Sequence, residues 1–252
     1  MFFDKSLPHH ASQKSFSGEK YRAAAFAANA AWFPKDNYNE VWMISNAGKR
    51  TLEPLSVVIQ AGGNSNRMGT PKSLLPFLGT PLLERIYNIL APIASEVIVV
   101  ANDERILPDL PVRFTSDTIP GKGAIGGLYT AMEESRCELV AVVACDLPFV
   151  NPGILLGGAN LLRQTGMDVA VPMLIEDYYE PLHAVYRRET CRQAILHAIQ
   201  MEKRRLISWY SEVKVLELDE EFCRRHDPRN LAFFNINTPE DFKRAETLAK
   251  EI

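Results

Sequence analysis

The sequence predicts an α/β fold in which helices cover both faces of a mostly parallel sheet. From Leu55 onward, short apolar runs alternate with segments of helical periodicity, and this alternation is typical of parallel sheets. The run 139–144 is apolar at every position and the run 56–60 at its three central positions, as expected for strands that are buried on both faces. Right-handed crossovers then place the loops that follow the strands along one edge of the sheet, where ligands bind.

Each element follows from its local pattern. The predicted strands are 56–60, 96–101, 112–115, 139–144, 168–172 and 213–218. The predicted helices are 81–94, 124–134 and 152–165, and 180–189 should be an extended segment that runs into a helix. A last helix opens at Thr238, which can cap it, with Pro239 at its first position and an acidic pair near its positive end.

The first 50 residues differ from the rest of the chain. They carry 7 Lys/Arg against 4 Asp/Glu, whereas the remainder carries 21 against 27. An alanine-rich stretch, 21–33, has good helix propensity and should end at Pro34. We therefore divide the chain into an N-terminal extension of unknown role, 1–50, and a main domain with the α/β pattern, 51–252.

Composition excludes several classes of protein. The net charge is -3, so bulk nucleic-acid binding is not indicated. The four cysteines form no Cys-x-x-Cys pair, which argues against a zinc ribbon and a disulfide framework. No apolar run reaches the roughly 18 residues of a membrane span, and the N-terminus lacks the pattern of a signal peptide. The expectation is a cytoplasmic protein that binds neither membranes nor nucleic acid.

A glycine-rich loop follows the first predicted strand, with the sequence QAGGNSNRMGTPK (60–72). Gly62 and Gly63 allow the backbone to approach a ligand closely, and successive N–H groups can bind an anion. Arg67 and Lys72 add two positive charges, which suits a triphosphate. The spacing is neither that of a Walker loop nor Gly-x-Gly-x-x-Gly. A polar surface loop with two solvated basic residues is the structural alternative.

Four further patterns carry candidate site residues. Asp146 follows the strongest strand and can hold a magnesium ion against phosphate oxygens, although a turn aspartate before proline is as common. Asp117 precedes the glycine-rich stretch 121–128, which can bring a helix N-terminus to a nucleotide or serve as a connector. Asn235 and Asn237 alternate on an extended segment. Lys203-Arg204-Arg205 can meet an acceptor phosphate or form a solvated face.

These motifs, in this order, resemble the molybdenum cofactor guanylyltransferase family of nucleotidyltransferases. The likeness runs from about Leu55 to the C-terminus and is most specific over 61–86, with GAIGGL, ACDLPF and FFNINTPEDF following. It implies a Rossmann-like three-layer sandwich of the nucleotide-diphospho-sugar transferase type. Gln60 stands where leucine is usual, and the familiar Gly-Pro-Leu-Ala-Gly reads Gly-Ala-Ile-Gly-Gly at 123–127.

The resemblance also implies an activity and a set of roles. The family transfers GMP from magnesium GTP to molybdopterin and releases pyrophosphate, so GTP, molybdopterin and Mg²⁺ are the expected ligands. Molybdoenzymes or chaperones that accept the cofactor are candidate partners. The nucleotide-binding residues would be Gln60, Ala61, Gly62, Gly63, Lys72, Asp117 and Asp146. The catalytic residues would be Arg67, Lys72 and Asp146, with the metal on Asp146. The acceptor-binding residues would be His183, Arg204, Arg205, Asn235 and Asn237.

Three other functions stay open at this point. A cytidylyltransferase of the same cofactor shares most of the motifs, but its loop tends towards Ala-Ala-Gly where this chain has Ala61-Gly62-Gly63. A sugar- or alditol-phosphate nucleotidyltransferase would differ in the acceptor that releases pyrophosphate. A nucleotide- or cofactor-binding module without turnover is the alternative from another class, and the presence of both Lys72 and Asp146 argues against it.

Overall fold

The computed structural model describes residues 43–44, 50–51, 53–62, 71–103, 109–175 and 178–251. The helix expected over 21–33 lies outside these ranges. Two short strands, β1 (Met43–Ile44) and β2 (Arg50–Thr51), pair antiparallel. This small sheet includes residues on both sides of position 50, where the sequence suggests the end of the extension.

An eight-stranded sheet forms the centre of the domain. Its strands are β3 (Leu55–Gln60), β6 (Glu96–Val100), β7 (Arg113–Thr115), β8 (Leu139–Ala144), β9 (Val169–Ile175), β10 (Tyr178–Tyr179), β11 (His183–Arg187) and β12 (Val215–Leu218). A separate hairpin consists of β4 (Pro76–Phe77) and β5 (Thr80–Pro81). The six predicted strands are thus confirmed, whereas the hairpin, β10 and β11 as a strand of the sheet were not foreseen.

The order of the main strands is β10-β9-β11-β8-β3-β6-β7, and β12 pairs with β9. Four pairs are parallel: β3 with β6, β3 with β8, β6 with β7, and β12 with β9. β11 is antiparallel to both β8 and β9, and it separates two strands that point the same way. The prediction of a mostly parallel sheet is confirmed, with β10 and β11 as its antiparallel members.

Helices cover both faces of the sheet. The helices in the described parts of the chain are α1 (Leu82–Leu90), α2 (Ala124–Glu134), α3 (Pro152–Thr165), α4 (Arg188–Gln200), α5 (Glu220–His226) and α6 (Pro239–Lys250). One apolar layer joins the sheet to α1, α3, α5 and α6, and the other joins it to α2 and α4. The result is a three-layer α/β sandwich. None of these helices is long and apolar enough to cross a bilayer.

Local signals set the helix bounds. In α3, Asn151 caps the start, since its Oδ1 accepts a hydrogen bond from the Ile154 N–H. Pro152 occupies the first turn, and Gly166 ends the helix with a φ of +66°, a conformation that glycine adopts without strain. Four apolar residues of α1 recur at helical spacing and are fully buried: Leu82, Leu83, Ile86 and Leu90.

Two polar edges border the buried sheet. The amino edge is the end at which the parallel strands begin, and it includes Ser56, Glu96 and Arg113. The carboxyl edge is the opposite end, at which Gln60 and Ala144 close their strands. The antiparallel β11 starts at the carboxyl edge, because His183 pairs with Val143.

Candidate active site

Backbone hydrogen bonds align the ends of β3, β6 and β8 at the carboxyl edge. β3 lies between β6 and β8, and Gln60 pairs in register with Val100 on one side and Ala144 on the other. The Cys145 N–H donates to the Gln60 carbonyl at 3.0 Å, and the Ala61 N–H donates to the Val100 carbonyl at 2.9 Å. The glycine-rich loop and the Asp146 turn therefore leave neighbouring strands at the same level, as the sequence predicts.

Lys72 joins three of the sequence motifs. It begins a 3-10 helix, Lys72–Leu74, and its Nζ lies 3.2 Å from Asp146 Oδ2 and 3.1 Å from Asn237 Oδ1. The Lys72 and Asp146 side chains are 15% and 23% exposed, so the ion pair is partly shielded but open to a ligand. Because Lys72 and Asn237 are far apart in sequence, only the fold brings this cation and this amide together.

The segment that carries Asn237 is fixed directly to Asp146. The N–H of the buried Ile236 donates to the Asp146 carbonyl at 2.9 Å, which leaves Asn235 half-buried and Asn237 exposed on either side. A capping box then starts α6. Asp241 Oδ2 accepts from the N–H groups of Asn237 and Thr238, and Thr238 Oγ1 accepts from the Asp241 N–H.

Four phenylalanines pack behind these polar groups. Phe77 meets Phe149 and Phe242 edge-on, with ring centroids 6.1 Å and 5.8 Å apart, and Phe149 meets Phe234 at 6.1 Å. Each ring comes from a different segment: the β4–β5 hairpin, the Asp146 turn, the segment before α6, and α6 itself. Edge-to-face pairs of this kind fix relative orientation. The cluster therefore explains how motifs that are distant in sequence present their polar residues together.

Asp117 lies at the same edge, two residues after β7. Burial raises the pKa of its carboxyl group above the ordinary value, although the nearby Asn102 side chain opposes this shift. The nearby turn leads into α2 through Gly121 and Gly123, whose φ values of +80° and +65° favour glycine. The edge thus offers a second carboxyl group beside a glycine-rich turn.

Comparison with known proteins identifies the family. Residues 57–215 match the family described as the MobA-like NTP transferase domain. The chain is similar to a probable molybdenum cofactor guanylyltransferase of Natranaerobius thermophilus, with 34% identity over 198 residues, 76% of this chain and 94% of the relative. It is also similar to the crystal structure of molybdopterin-guanine dinucleotide biosynthesis protein A from Archaeoglobus fulgidus. The TM-score is 0.69 at 28% identity, and the match covers 78% of this chain and 100% of the other.

The chain belongs to the MobA-like NTP transferase family. The family resemblance drawn from the motifs is confirmed. The fold is further matched by 2-C-methyl-D-erythritol 4-phosphate cytidylyltransferase from Thermus thermophilus, with a TM-score of 0.59 at 21% identity over 79% of this chain and 100% of the other. The predicted fold class, a three-layer sandwich of the nucleotide-diphospho-sugar transferase type, is therefore confirmed as well.

Within this MobA-like domain, His183 occupies a different setting from Lys72 and Asp146. It is fully buried, and its Nε2 accepts the Asn151 N–H at 3.0 Å while its ring packs against Phe233 at 5.4 Å. Burial lowers the pKa of His183 to about 4, so the ring is neutral near pH 7. In this arrangement His183 holds the start of α3 and the segment before Asn235. Direct contact with an acceptor stays a prediction.

The remaining predicted site residues vary in what the structure says of them. Arg204 and Arg205 are exposed and follow α4. This helix starts near Glu138 at the amino edge, since the Arg188 N–H donates to the Glu138 carbonyl, and it ends toward the carboxyl edge. Gly63 and Arg67 lie outside the described residues. Roles for all four in the MobA-like reaction stay predictions.

One residue of the carboxyl edge was missed at the sequence level. Glu180 lies just before β11, and its N–H donates to the Pro172 carbonyl. Burial, opposed by a hydrogen bond from the Leu182 backbone and reinforced by Asp146, raises the pKa of Glu180 to about 7. Because β11 runs antiparallel to β8, the start of β11 lies beside the end of β8. Glu180, just before β11, and Asp146, just after β8, therefore lie at the same edge. The sequence pattern, which suggests an extended segment at 180–189, does not reveal this.

Nucleotidyltransferases of this family generally use a divalent metal ion. The groups around Asp146 fit such an ion, because a carboxylate and the amide oxygen of Asn237 are hard oxygen donors. No group of three or more His, Cys, Asp or Glu that could hold a metal occurs in the parts of the chain described. A single carboxylate suits Mg²⁺, which keeps several waters and binds substrate phosphates.

The buried thiol beside the site does not supply a nucleophile. Burial, with the adjacent Asp146 adding to it, raises the pKa of Cys145 to about 12, so the thiol stays protonated at neutral pH. Only the thiolate is strongly nucleophilic. The raised pKa therefore argues against a covalent intermediate on this cysteine.

Proposed function

We propose that this enzyme transfers GMP from magnesium GTP to molybdopterin, forming the guanine dinucleotide cofactor and pyrophosphate. The main support is the cluster of Lys72, Asp146 and Asn237, which places a cation, a carboxylate and an amide at the carboxyl edge of a MobA-like domain. The names of the similar proteins from Natranaerobius thermophilus and Archaeoglobus fulgidus point to the same reaction.

The chemistry requires positioning and charge more than proton transfer. A phosphate oxygen of the acceptor attacks the α-phosphorus in line, and the bond to the bridging oxygen of the β-phosphate breaks to release pyrophosphate. Lys72 would turn from Asp146 and Asn237 to the phosphates and offset the charge that develops there. Asp146 would hold Mg²⁺, which supplies positive charge to the phosphate oxygens when it is bound.

Other predicted residues complete the proposed site. Gln60, Ala61, Gly62 and Gly63 would line the nucleotide, with Asp117 as a further contact and Arg67 on the triphosphate. Asn235, Asn237, His183, Arg204 and Arg205 would serve the acceptor side. A cytoplasmic location and delivery of the product to molybdoenzymes or their chaperones belong to this proposal as well.

Pyrophosphate release tests the proposal. The protein is supplied with each of the four nucleoside triphosphates and Mg²⁺, with and without molybdopterin. Release with GTP that depends on molybdopterin is expected. Release that is fastest with CTP would identify the cytidylyl relative, and release with a sugar phosphate in place of molybdopterin would identify that acceptor class. Nucleotide binding without any release would contradict catalysis.

A further inference from the structure

The side chain of Gln60 is an anomaly at the end of β3. The residue is 8% exposed, and its Nε2 is shielded from solvent without a hydrogen-bond partner among the described residues. Its neighbours in register, Val100 and Ala144, offer no side-chain acceptor. The other buried polar residue of this strand, Ser56, donates to Glu96 and accepts from the Cys137 N–H.

The position of this carboxamide depends on a glycine in α2. A Cβ at Gly127 would lie 3.0 Å from Gln60 Oε1 and 3.1 Å from its Cδ, closer than such contacts normally are. The absence of a side chain at Gly127 therefore makes room for the Gln60 amide between the sheet and the first turns of α2. The even-numbered Val58 faces the same layer.

A polar group in this setting destabilises the ligand-free protein. A buried donor that loses its water and gains no partner is unfavourable, whereas leucine would fill the same space with apolar atoms. Gln60 closes β3 at the carboxyl edge, immediately before the loop proposed to bind the nucleotide. A ligand that brings an acceptor to this point would supply the missing hydrogen bond.

We propose that the Gln60 amide selects the nucleobase by donating to a ring carbonyl, the O6 of guanine in the proposed reaction. This inference rests on the proposed function and names the side chain that reads the base. Adenine carries an amino donor where guanine carries O6, so adenine would face the Gln60 donor with another donor. Gln60 thus accepts bases with a carbonyl at that position and rejects adenine.

The test measures stability and base preference together. Variants Gln60→Leu and Gln60→Glu are compared with the parent by thermal unfolding without nucleotide and by titration with GTP, CTP and ATP. Gln60→Leu should raise Tm and lower the ratio of GTP to ATP affinity by about tenfold or more, the scale of one hydrogen bond in a binding site. Gln60→Glu, which replaces the donor by an acceptor, should shift the preference toward ATP.

Two further variants separate a specific effect from a general one. Gly127→Ala leaves the chemistry of Gln60 unchanged but pushes its carboxamide aside, and it should lower the same affinity ratio. Gln164→Leu makes the same substitution at an exposed position of α3 and should change neither Tm nor the ratio. If Gln60→Leu fails to fold, Gly127→Ala alone still tests base preference.

The outcomes distinguish the two proposals. A parent that binds GTP above ATP, with the ratio unchanged in Gln60→Leu and Gly127→Ala, would overturn the role of Gln60 and leave GMP transfer standing. A parent that binds no nucleotide would overturn the proposed function. A parent that prefers CTP would move the reaction to the cytidylyl class and would overturn the role of Gln60, because cytosine carries an amino donor where guanine carries O6.

Discussion

The two edges of the central sheet differ in how their polar groups are paired. At the amino edge, Glu96 accepts from Ser56 Oγ at 2.6 Å, from the Arg136 N–H at 2.7 Å and from Arg113 at 3.1 Å. Arg113 also binds Glu134. At the carboxyl edge, Lys72 has two contacts, and the Gln60 Nε2 has none among the described residues.

The difference in pairing indicates that the polar groups of the amino edge stabilise the fold, whereas those of the carboxyl edge serve the proposed site. Burial alone would raise the pKa of Glu96, but the hydrogen bonds from Ser56 and the Arg136 backbone, together with Arg113, lower it below its ordinary value. A carboxylate held in this way stabilises the folded protein. At the carboxyl edge, the Gln60 Nε2 keeps an unused donor among the described residues, and the Lys72 ion pair is open to a ligand.

The largest expected effect is the loss of turnover in Asp146→Asn. The amide keeps the shape of the side chain but removes the charge that would hold Mg²⁺, so pyrophosphate release should fall by about 100-fold or more. The unfolding midpoint should change little. Asp168→Asn, at the start of β9, provides a matched control, because Asp168 accepts from the Lys214 N–H away from the proposed site. Turnover within a few-fold of the parent at saturating Mg²⁺ would remove Asp146 from the site.

Lys72→Ala should weaken the binding of every nucleoside triphosphate. Loss of a charge-assisted contact typically costs about 1.5–3 kcal/mol, which corresponds to roughly 10- to 150-fold in affinity. Because phosphates carry no information about the base, the ratios between GTP, CTP and ATP should survive. Titration of parent and variant with all three measures both effects. A changed base ratio would place Lys72 beside the base.

Ser56→Ala should have the opposite profile at the amino edge. The substitution leaves the Cys137 N–H without its partner and removes one of the two hydrogen bonds to Glu96 Oε1, which keeps the bond from the Arg136 N–H. The free energy of unfolding should fall by about 1–3 kcal/mol. Urea titration measures this loss, and nucleotide affinity of the folded protein should match the parent. A stable variant with impaired binding would contradict the division of roles between the edges.

Glu180→Gln should change how stability varies with pH. Since burial raises the pKa of Glu180 to about 7 from an ordinary 4.5, the folded protein holds a proton between these values that the unfolded chain has lost. Raising the pH through this window therefore destabilises the parent. His183, with its pKa lowered to about 4 by burial, acts in the opposite direction between about pH 4 and 6.5, but it is present in both proteins.

Comparison of the parent with Glu180→Gln isolates the contribution of Glu180 to the pH dependence of stability. The free energy of unfolding is measured by urea titration from pH 4.5 to 8 in parent and variant. The variant should gain stability relative to the parent as the pH rises from about 5 to 7. A constant difference across this range would show that Glu180 titrates alike in the folded and unfolded states.

Removal of the N-terminal extension should have the smallest effect. All strands of the eight-stranded sheet and all described candidate site residues follow position 52. A chain that starts at Leu52 should therefore fold, bind nucleotide and unfold near the temperature of the full chain. An insoluble or inactive product would show that the extension belongs to the core or to the site, and that the boundary at 50 is misplaced.

The sequence predicted an element well where the residues that begin and end it lie within or next to that element. The bounds of α2 and α3 agree with the prediction. Gly123 precedes α2, Asn151 and Pro152 begin α3, and Gly166 ends it. The order of strands at one side of the sheet could not be predicted. Whether β11 lies beside β8 or beyond β9 depends on packing between residues that are distant in the chain.

The candidate site shows the same limit. The sequence indicates Lys72, Asp146 and Asn237 as separate motifs, yet their mutual contacts arise only when the phenylalanine cluster and the Ile236 hydrogen bond align the segments. Glu180 and the Gln60 Nε2 carry no local signal, because the one is notable for its burial and the other for lacking a partner among the described residues. The boundary at 50 stays a prediction.

The contact between Lys72 and Asn237 has a consequence for synthesis of the protein on the ribosome. Every strand of the central sheet has been translated once Leu218 is added, so the sheet can form before residues 235–241 are added. Asn235, Ile236 and the capping box of α6 come later. A nascent chain that stops short of this segment would hold a folded sheet in which Lys72 lacks its contact with Asn237. The candidate site is therefore completed only after the sheet that carries it.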